Sequence, residues 1–176
     1  CIIDTQHKEL NKMKKHELEQ ATGVTLKNIR RCVAQMSGQL VKTINISPRG
    51  QIGKCRINSH QIQSLFPGSE IWYGYRIYPN NGKSTDPDRS IQKAQGHICF
   101  EEHFVVKTPS GDFLCSTPGK EVVDDYEFWY VAVEPADPMT RDFEGNFEYT
   151  NSSGLNRVPY IGHSVNFYNN FLRNPA

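Results

Sequence analysis

The chain lacks most of the features that assign a protein quickly. It has no apolar run of about 18 residues, so the sequence offers no membrane span. Its formal net charge is only +1, which gives no whole-surface attraction for nucleic acid or an anionic membrane. The N-terminal CIIDTQHKEL has neither a basic segment nor a long apolar one, so no secretory signal is expected. Phosphate-binding glycine loops, dinucleotide fingerprints, the nucleophile elbow and HExxH are all missing. Cysteine is sparse and odd in number: Cys1, Cys32, Cys55, Cys99 and Cys115, at irregular spacings. That argues against a disulfide scaffold and for a reducing, cytoplasmic setting.

What is present is a 176-residue chain, 37% hydrophobic, with a mean hydropathy of −0.60. This is enough for one core with an appendage, without staples. Leu10, Met13, Leu18 and Ala21 mark an amphipathic helix over 5–21, broken by Thr22-Gly23-Val24-Thr25. Thr25 then caps a second helix, 26–37, whose apolar face carries Leu26, Ile29, Val33 and Met36. QLVKTINI (39–46) alternates as a strand. CRINSHQIQSL (55–65) has helical spacing and stops at Pro67-Gly68. EIWYGYRIY (70–78) is a strand, 79–95 a long polar loop, 97–116 a hairpin and 126–133 a further strand. Beyond Glu134, Phe143, Phe147, Tyr149, Tyr160, Phe167 and Phe171 recur in a segment rich in Pro, Asn, Gly and Ser, and read as anchors of a packed tail. The expectation is α+β: a helical hairpin (1–38), a core of one helix on a mainly antiparallel sheet (39–134), and an aromatic-anchored extension (135–176).

Two residues stand out for chemistry. Cys55 opens a helix, where unpaired N–H groups and the helix dipole favour a thiolate. Gln51 is placed to donate an amide hydrogen bond to a developing oxyanion, and Asn58 lies on the same helix face. His103 sits in the strand HICFEEHFVVK, where Ile98, Phe100, Phe104 and Val106 share one face. His97, Cys99, Glu101, His103 and Val105 share the other, so His103 can serve Cys55 as a base if that face meets a cleft.

The series Cys-x-x-Asn at Cys55 and Asn58, the strand WYGY, and EEHFVVKTPSGDFLCSTP resembles bacterial papain-like or transglutaminase-like proteins. In these, Cys-x-x-Asn precedes a Gly-Trp strand and a segment His-x-Val-x-x-x-x-x-Gly-x-Leu-x-Asp-x-Thr-Pro. The resemblance covers roughly residues 50–120. It implies Cys55 as nucleophile, His103 as base, and Pro109-Ser110-Gly111-Asp112 as the hairpin turn. The chain departs from the pattern at Cys115, which stands where an aspartate would orient the histidine. A thiol is a weak acceptor, so Asp112, Glu101 and Asn58 are candidates for that role.

The expectation is therefore a cysteine-dependent acyl-group enzyme (amide or peptide hydrolase, deamidase or acyl transferase) that needs no cofactor and takes a protein or peptide-like substrate. Three alternatives stand beside it. His97, Cys99, His103 and Cys115, with Cys55, are suited to zinc in a non-enzymatic module that binds protein or nucleic acid. The domain is otherwise a papain-like one whose catalysis has decayed, with Cys55 a small buried hydrophobe. Lys27, Asn28, Arg30 and Arg31 on the second helix imitate a DNA-reading helix, but a solvated helical hairpin explains them better and nucleic acid is not the expected partner.

Overall fold

The computed structural model describes residues 17–20, 22–46, 50–79, 96–118 and 127–158. The expected helix before residue 17, the polar loop at 80–95, and Tyr160, Phe167 and Phe171 lie outside the described residues. Among those described, no helix is long and apolar enough to cross a membrane.

Residues 17–20 are helical, and helix α1 follows at Leu26–Gln35. Thr25 begins α1 because its extended backbone (φ −66°, ψ 144°) lets its hydroxyl accept from the Asn28 N–H. The end of α1 is a Schellman turn: Ser37 N–H donates to Ala34 O and Gly38 N–H to Val33 O. Ser37 takes the left-handed conformation (φ 55°) usually left to glycine. The glycine falls one position later because a Cβ on Gly38 would lie 2.3 Å from Val131 Cγ1. Lys27, Arg30 and Arg31 face solvent, while Ile29, Cys32 and Val33 pack inward.

Strand β1 (Gln39–Asn45) leads to helix α2 (Cys55–Leu65). Then come β2 (Glu70–Pro79), β3 (His97–Lys107), β4 (Phe113–Cys115) and β5 (Glu127–Pro135). The fold is mixed α+β with a mostly antiparallel sheet, the β1–β4 pair being parallel. Strand β2 pairs with β3 on one edge and β5 on the other, β1 lies between β5 and β4, and β4 returns to β3. The sheet therefore closes on itself as a small barrel. Closure explains why both faces of β3 are buried rather than one. Ile98, Phe100, Phe104 and Val106 pack outward beneath the helices with Ile29, Val33 and Ile62. Val105, Phe113, Cys115, Phe128, Tyr130 and Ala132 fill the interior. The His103 face of β3 thus meets the barrel interior, not the open cleft on which its role as a base was conditioned.

Within the segment expected as an anchored extension, the described residues include a hairpin, β6 (Asn146–Thr150) and β7 (Gly154–Val158). Strand β6 adds to the N-terminal half of β3, from His97↔Thr150 to Phe100↔Phe147. Phe143, Phe147 and Tyr149 do anchor it, packing on the outer core.

Candidate active site

Strand β3 uses one edge for two partners. Phe100 is the last residue paired to β6 and Val106 the first paired to β4. Between them the edge meets side chains instead of a strand. Asn146 Oδ1 accepts the Glu102 N–H at 3.0 Å. The thiol of Cys55, at the first turn of α2, lies close enough to the Phe104 N–H to be stabilised by it when ionised. Cys55 is thus seated against the peptide that follows His103.

His103 points into the barrel and is 4% exposed. Its ring packs edge-on against Phe128 and Tyr130, with centroids at 5.7 and 6.4 Å. Its Nε2 lies 3.2 Å from Cys115 Sγ on the neighbouring strand β4. Its carbonyl lies 2.9 Å from the Tyr130 hydroxyl, which also reaches Trp72 O at 3.2 Å. Opposite His103 on β2 is Gly74, and a Cβ there would fall 2.7 Å from the Tyr130 ring and hydroxyl. The tyrosine can cross to β3 only because that residue has no side chain. Arg76, two residues on, lies over Phe128 with its guanidinium carbon 4.1 Å from the ring centroid.

This enclosure sets the protonation states. Burial pushes the Cys55 thiol up to about 12, against a smaller lowering by the Phe104 N–H. Burial, helped by the Arg76 charge, pushes His103 down to about 3. Both groups are therefore neutral near pH 7, so the helix terminus does not make Cys55 a resting thiolate. Its position on the chain is right for that, but desolvation outweighs the dipole.

The remaining expected residues are placed as follows. Asn58 is 1% exposed and holds the loop before Cys55. Its Nδ2 donates to Gln51 O (2.8 Å) and Thr117 Oγ1 (2.9 Å), and its Oδ1 accepts from Gln51 N–H (3.2 Å). Gln51 meets Asn58 through its backbone and is exposed. Asp112 belongs to the β3–β4 turn, where it accepts from Ser110 Oγ. It precedes the Lys107↔Phe113 pair, four residues along the ladder from His103, or roughly 13 Å at about 3.3 Å per residue. Asp112 therefore cannot orient the histidine, and Glu101 is opposite Arg76 in the β2–β3 register.

The zinc set fails on the same arithmetic. Cys99 and His103 are separated along an extended strand by roughly 13 Å and His97 and His103 by roughly 20 Å. His97 faces Glu148 of β6 at 3.7 Å. Among the described residues, no group of three or more His, Cys, Asp or Glu side chains is arranged to hold a metal ion. Cys32, Cys55, Cys99 and Cys115 are all buried free thiols. A concavity of about 490 Å³ does exist, lined by His60, Gln63, Ser69 and Glu70 among others, but it lies beside the far half of α2 and away from Cys55.

Tyr130 and Thr117 fix the backbone of His103 and the side chain of Asn58, roles that the sequence reading assigned to neither. The signal for Tyr130 was its alternation with Phe128 in the 126–133 strand. Thr117 falls on the Thr-Pro of the resemblance pattern, which assigned it no role. Compared with protein-family models, with curated proteins and with solved structures, the chain finds no match in any of the three.

Proposed function

We propose that the chain is a cysteine-dependent acyl-group enzyme of papain-like or transglutaminase-like arrangement, acting on amide, thioester or peptide-type carbonyls. One observation carries the reading. A helix-start cysteine meets the strand of His103 at the adjoining peptide, and the Nε2 of that histidine meets Cys115 on the next strand at 3.2 Å. Nucleophile, base and third group thus come from three elements packed on one another, α2, β3 and β4.

The chemistry follows from two neutral groups. Instead of a preformed ion pair, His103 acts as general base during attack: its free ring nitrogen takes the thiol proton as Cys55 Sγ bonds to the carbonyl carbon. No side chain caps the start of α2, which leaves first-turn N–H groups for the oxyanion. Collapse breaks the bond to the leaving group, which takes the proton from His103. Water or an acceptor amine then displaces the thiol. Hydrolysis, deamidation and acyl transfer use the same groups.

A second reading, a barrel of this arrangement without catalysis, is favoured by the burial that neutralises both groups. One experiment separates the two. A panel of peptide thioesters is incubated with the protein and adducts are located by intact mass and peptide mapping. The enzyme reading expects an acyl adduct on Cys55, none in Cys55→Ala, and a rate reduced about 10²-fold or more in His103→Ala. Labelling spread over Cys32, Cys99 and Cys115, or undiminished in His103→Ala, sinks it.

A further inference from the structure

Cys115 occupies a defined position in the barrel. It ends β4 and is 1% exposed. Its sulfur receives the Thr117 N–H at 3.3 Å and lies 3.8 Å from Thr117 O. The Thr117 carbonyl, which also receives Arg76 Nη1 at 3.4 Å, is one acceptor for the thiol proton; with the proton there, the sulfur lone pairs are left to accept. The second group they meet is His103 Nε2 at 3.2 Å. A sulfur whose proton goes to a carbonyl meets the imidazole as an acceptor, and neutral imidazole has one N–H to give.

The geometry points to Cys115 as the positioning residue for His103: its sulfur accepts the Nε2–H, fixes that tautomer, and leaves Nδ1 as the ring's proton acceptor. Nδ1 is the nitrogen nearer the main chain, and Cys55 meets the main chain at the next peptide. The ring is also held by Phe128 and Tyr130 edge-on, and Tyr130 clamps its carbonyl, so the strand and ring are set while the tautomer is left to Cys115. Arg76, the cation facing this cluster from β2, has no proton acceptor to offer and cannot supply the same order. Asn58 reaches Thr117 through its hydroxyl oxygen, so the residue that orients the Cys115 proton is itself tied to the Cys55 helix.

The role of Cys115 rests on the acyl-enzyme reading, but its first test does not. Long-range ¹H–¹⁵N correlation spectra of ¹⁵N-histidine protein report the tautomer of His103 directly. The wild type is expected to show the Nε2–H form alone. Cys115→Ala is expected to mix the two tautomers and to lower the rate of Cys55 thioester labelling at least tenfold. Cys115→Ser, which keeps a donor and an acceptor at nearly the same volume, retains the Nε2–H form, and Cys115→Asp labels Cys55 faster than Cys115→Ala. An Nδ1–H tautomer in the wild type, or a Cys115→Ser protein that folds and shows the same mixture as Cys115→Ala, overturns the assignment. A tautomer that follows residue 115 with no labelling of Cys55 in any variant upholds the positioning and removes the acyl chemistry.

Discussion

At the scale of single residues, the barrel interior decides which protons move. His103 is held near a proton affinity of about 3, against 6.5 for a free histidine. Between those values the unfolded chain binds a proton that the folded chain refuses, so stability rises with pH across the window and is lost as pH falls through it. At about 1.4 kcal/mol per decade of proton affinity, the whole window is worth on the order of 5 kcal/mol. Urea unfolding of the wild type should therefore weaken steeply from pH 6.5 toward pH 3, and His103→Gln should flatten that slope whatever its stability at pH 7. Equal slopes for the two proteins would place His103 in a wetter site than the barrel interior. Cys55 has the opposite sense. Its thiol, raised to about 12 from 9.0, loses stability as pH rises above 9, which separates the two contributions on the pH axis.

At the scale of elements, α2 delivers Cys55 and depends on Asn58. Lys54 provides no side-chain cap, so the loop Gly50–Lys54 is organised from inside the helix by an amide one turn on. Gly50 allows this close approach, since a Cβ there would sit 2.3 Å from the Asn58 amide. Asn58→Ala leaves Gln51 N–H, Gln51 O and Thr117 Oγ1 without their partner. The expected cost is about 2–3 kcal/mol, read as a lower urea midpoint at unchanged slope. Cys55 labelling should slow more in this variant than in Thr25→Ala, which removes the α1 cap for about 1 kcal/mol far from the loop. Both helices were legible in the sequence, α2 from Cys55 to Leu65 and α1 by its Thr25 cap, because capping and apolar spacing act within a few residues. The role of Asn58 was not. Its position on the Cys55 face suggested the reacting carbonyl, whereas its partners lie in the preceding loop and, 59 residues away in sequence, at Thr117.

At the scale of the whole molecule, closure of the sheet links the site to distant parts of the chain. Glu102 lies beside His103 on β3 but faces outward, 3% exposed. It accepts from Tyr73 Oη and from the N–H groups of Glu144 and Gly145, each of the latter at 2.9 Å. It is the clasp that brings the chain from Pro135 back to pair β6 with β3. The Arg56 guanidinium supports the same return, donating to Pro138 O and lying 4.1 Å from the Phe143 ring centroid. Glu102→Ala should speed hydrogen exchange of β6 and β7 amides at least tenfold while β1–β2–β5 amides keep their protection. Uniform loss of protection would instead make β6–β7 part of one cooperative unit with the barrel. The β6–β7 hairpin was not legible in sequence because NFEYT and GLNRV are short and polar and owe their strand form to the free edge of β3. The alternation of β3 was legible, but the destination of its second face was not: Val105, His103 and Cys115 look like a cleft lining until β4 closes on β1. By itself, then, the sequence determined α1, α2, the strands β1 to β5 and the facing of His103 on β3, since those follow from periodicity and caps. Only the tertiary structure decided that His103 is dry and neutral, that Asp112 is out of reach and that Cys115 is its partner, because desolvation and cross-strand contact exist only once the barrel has closed.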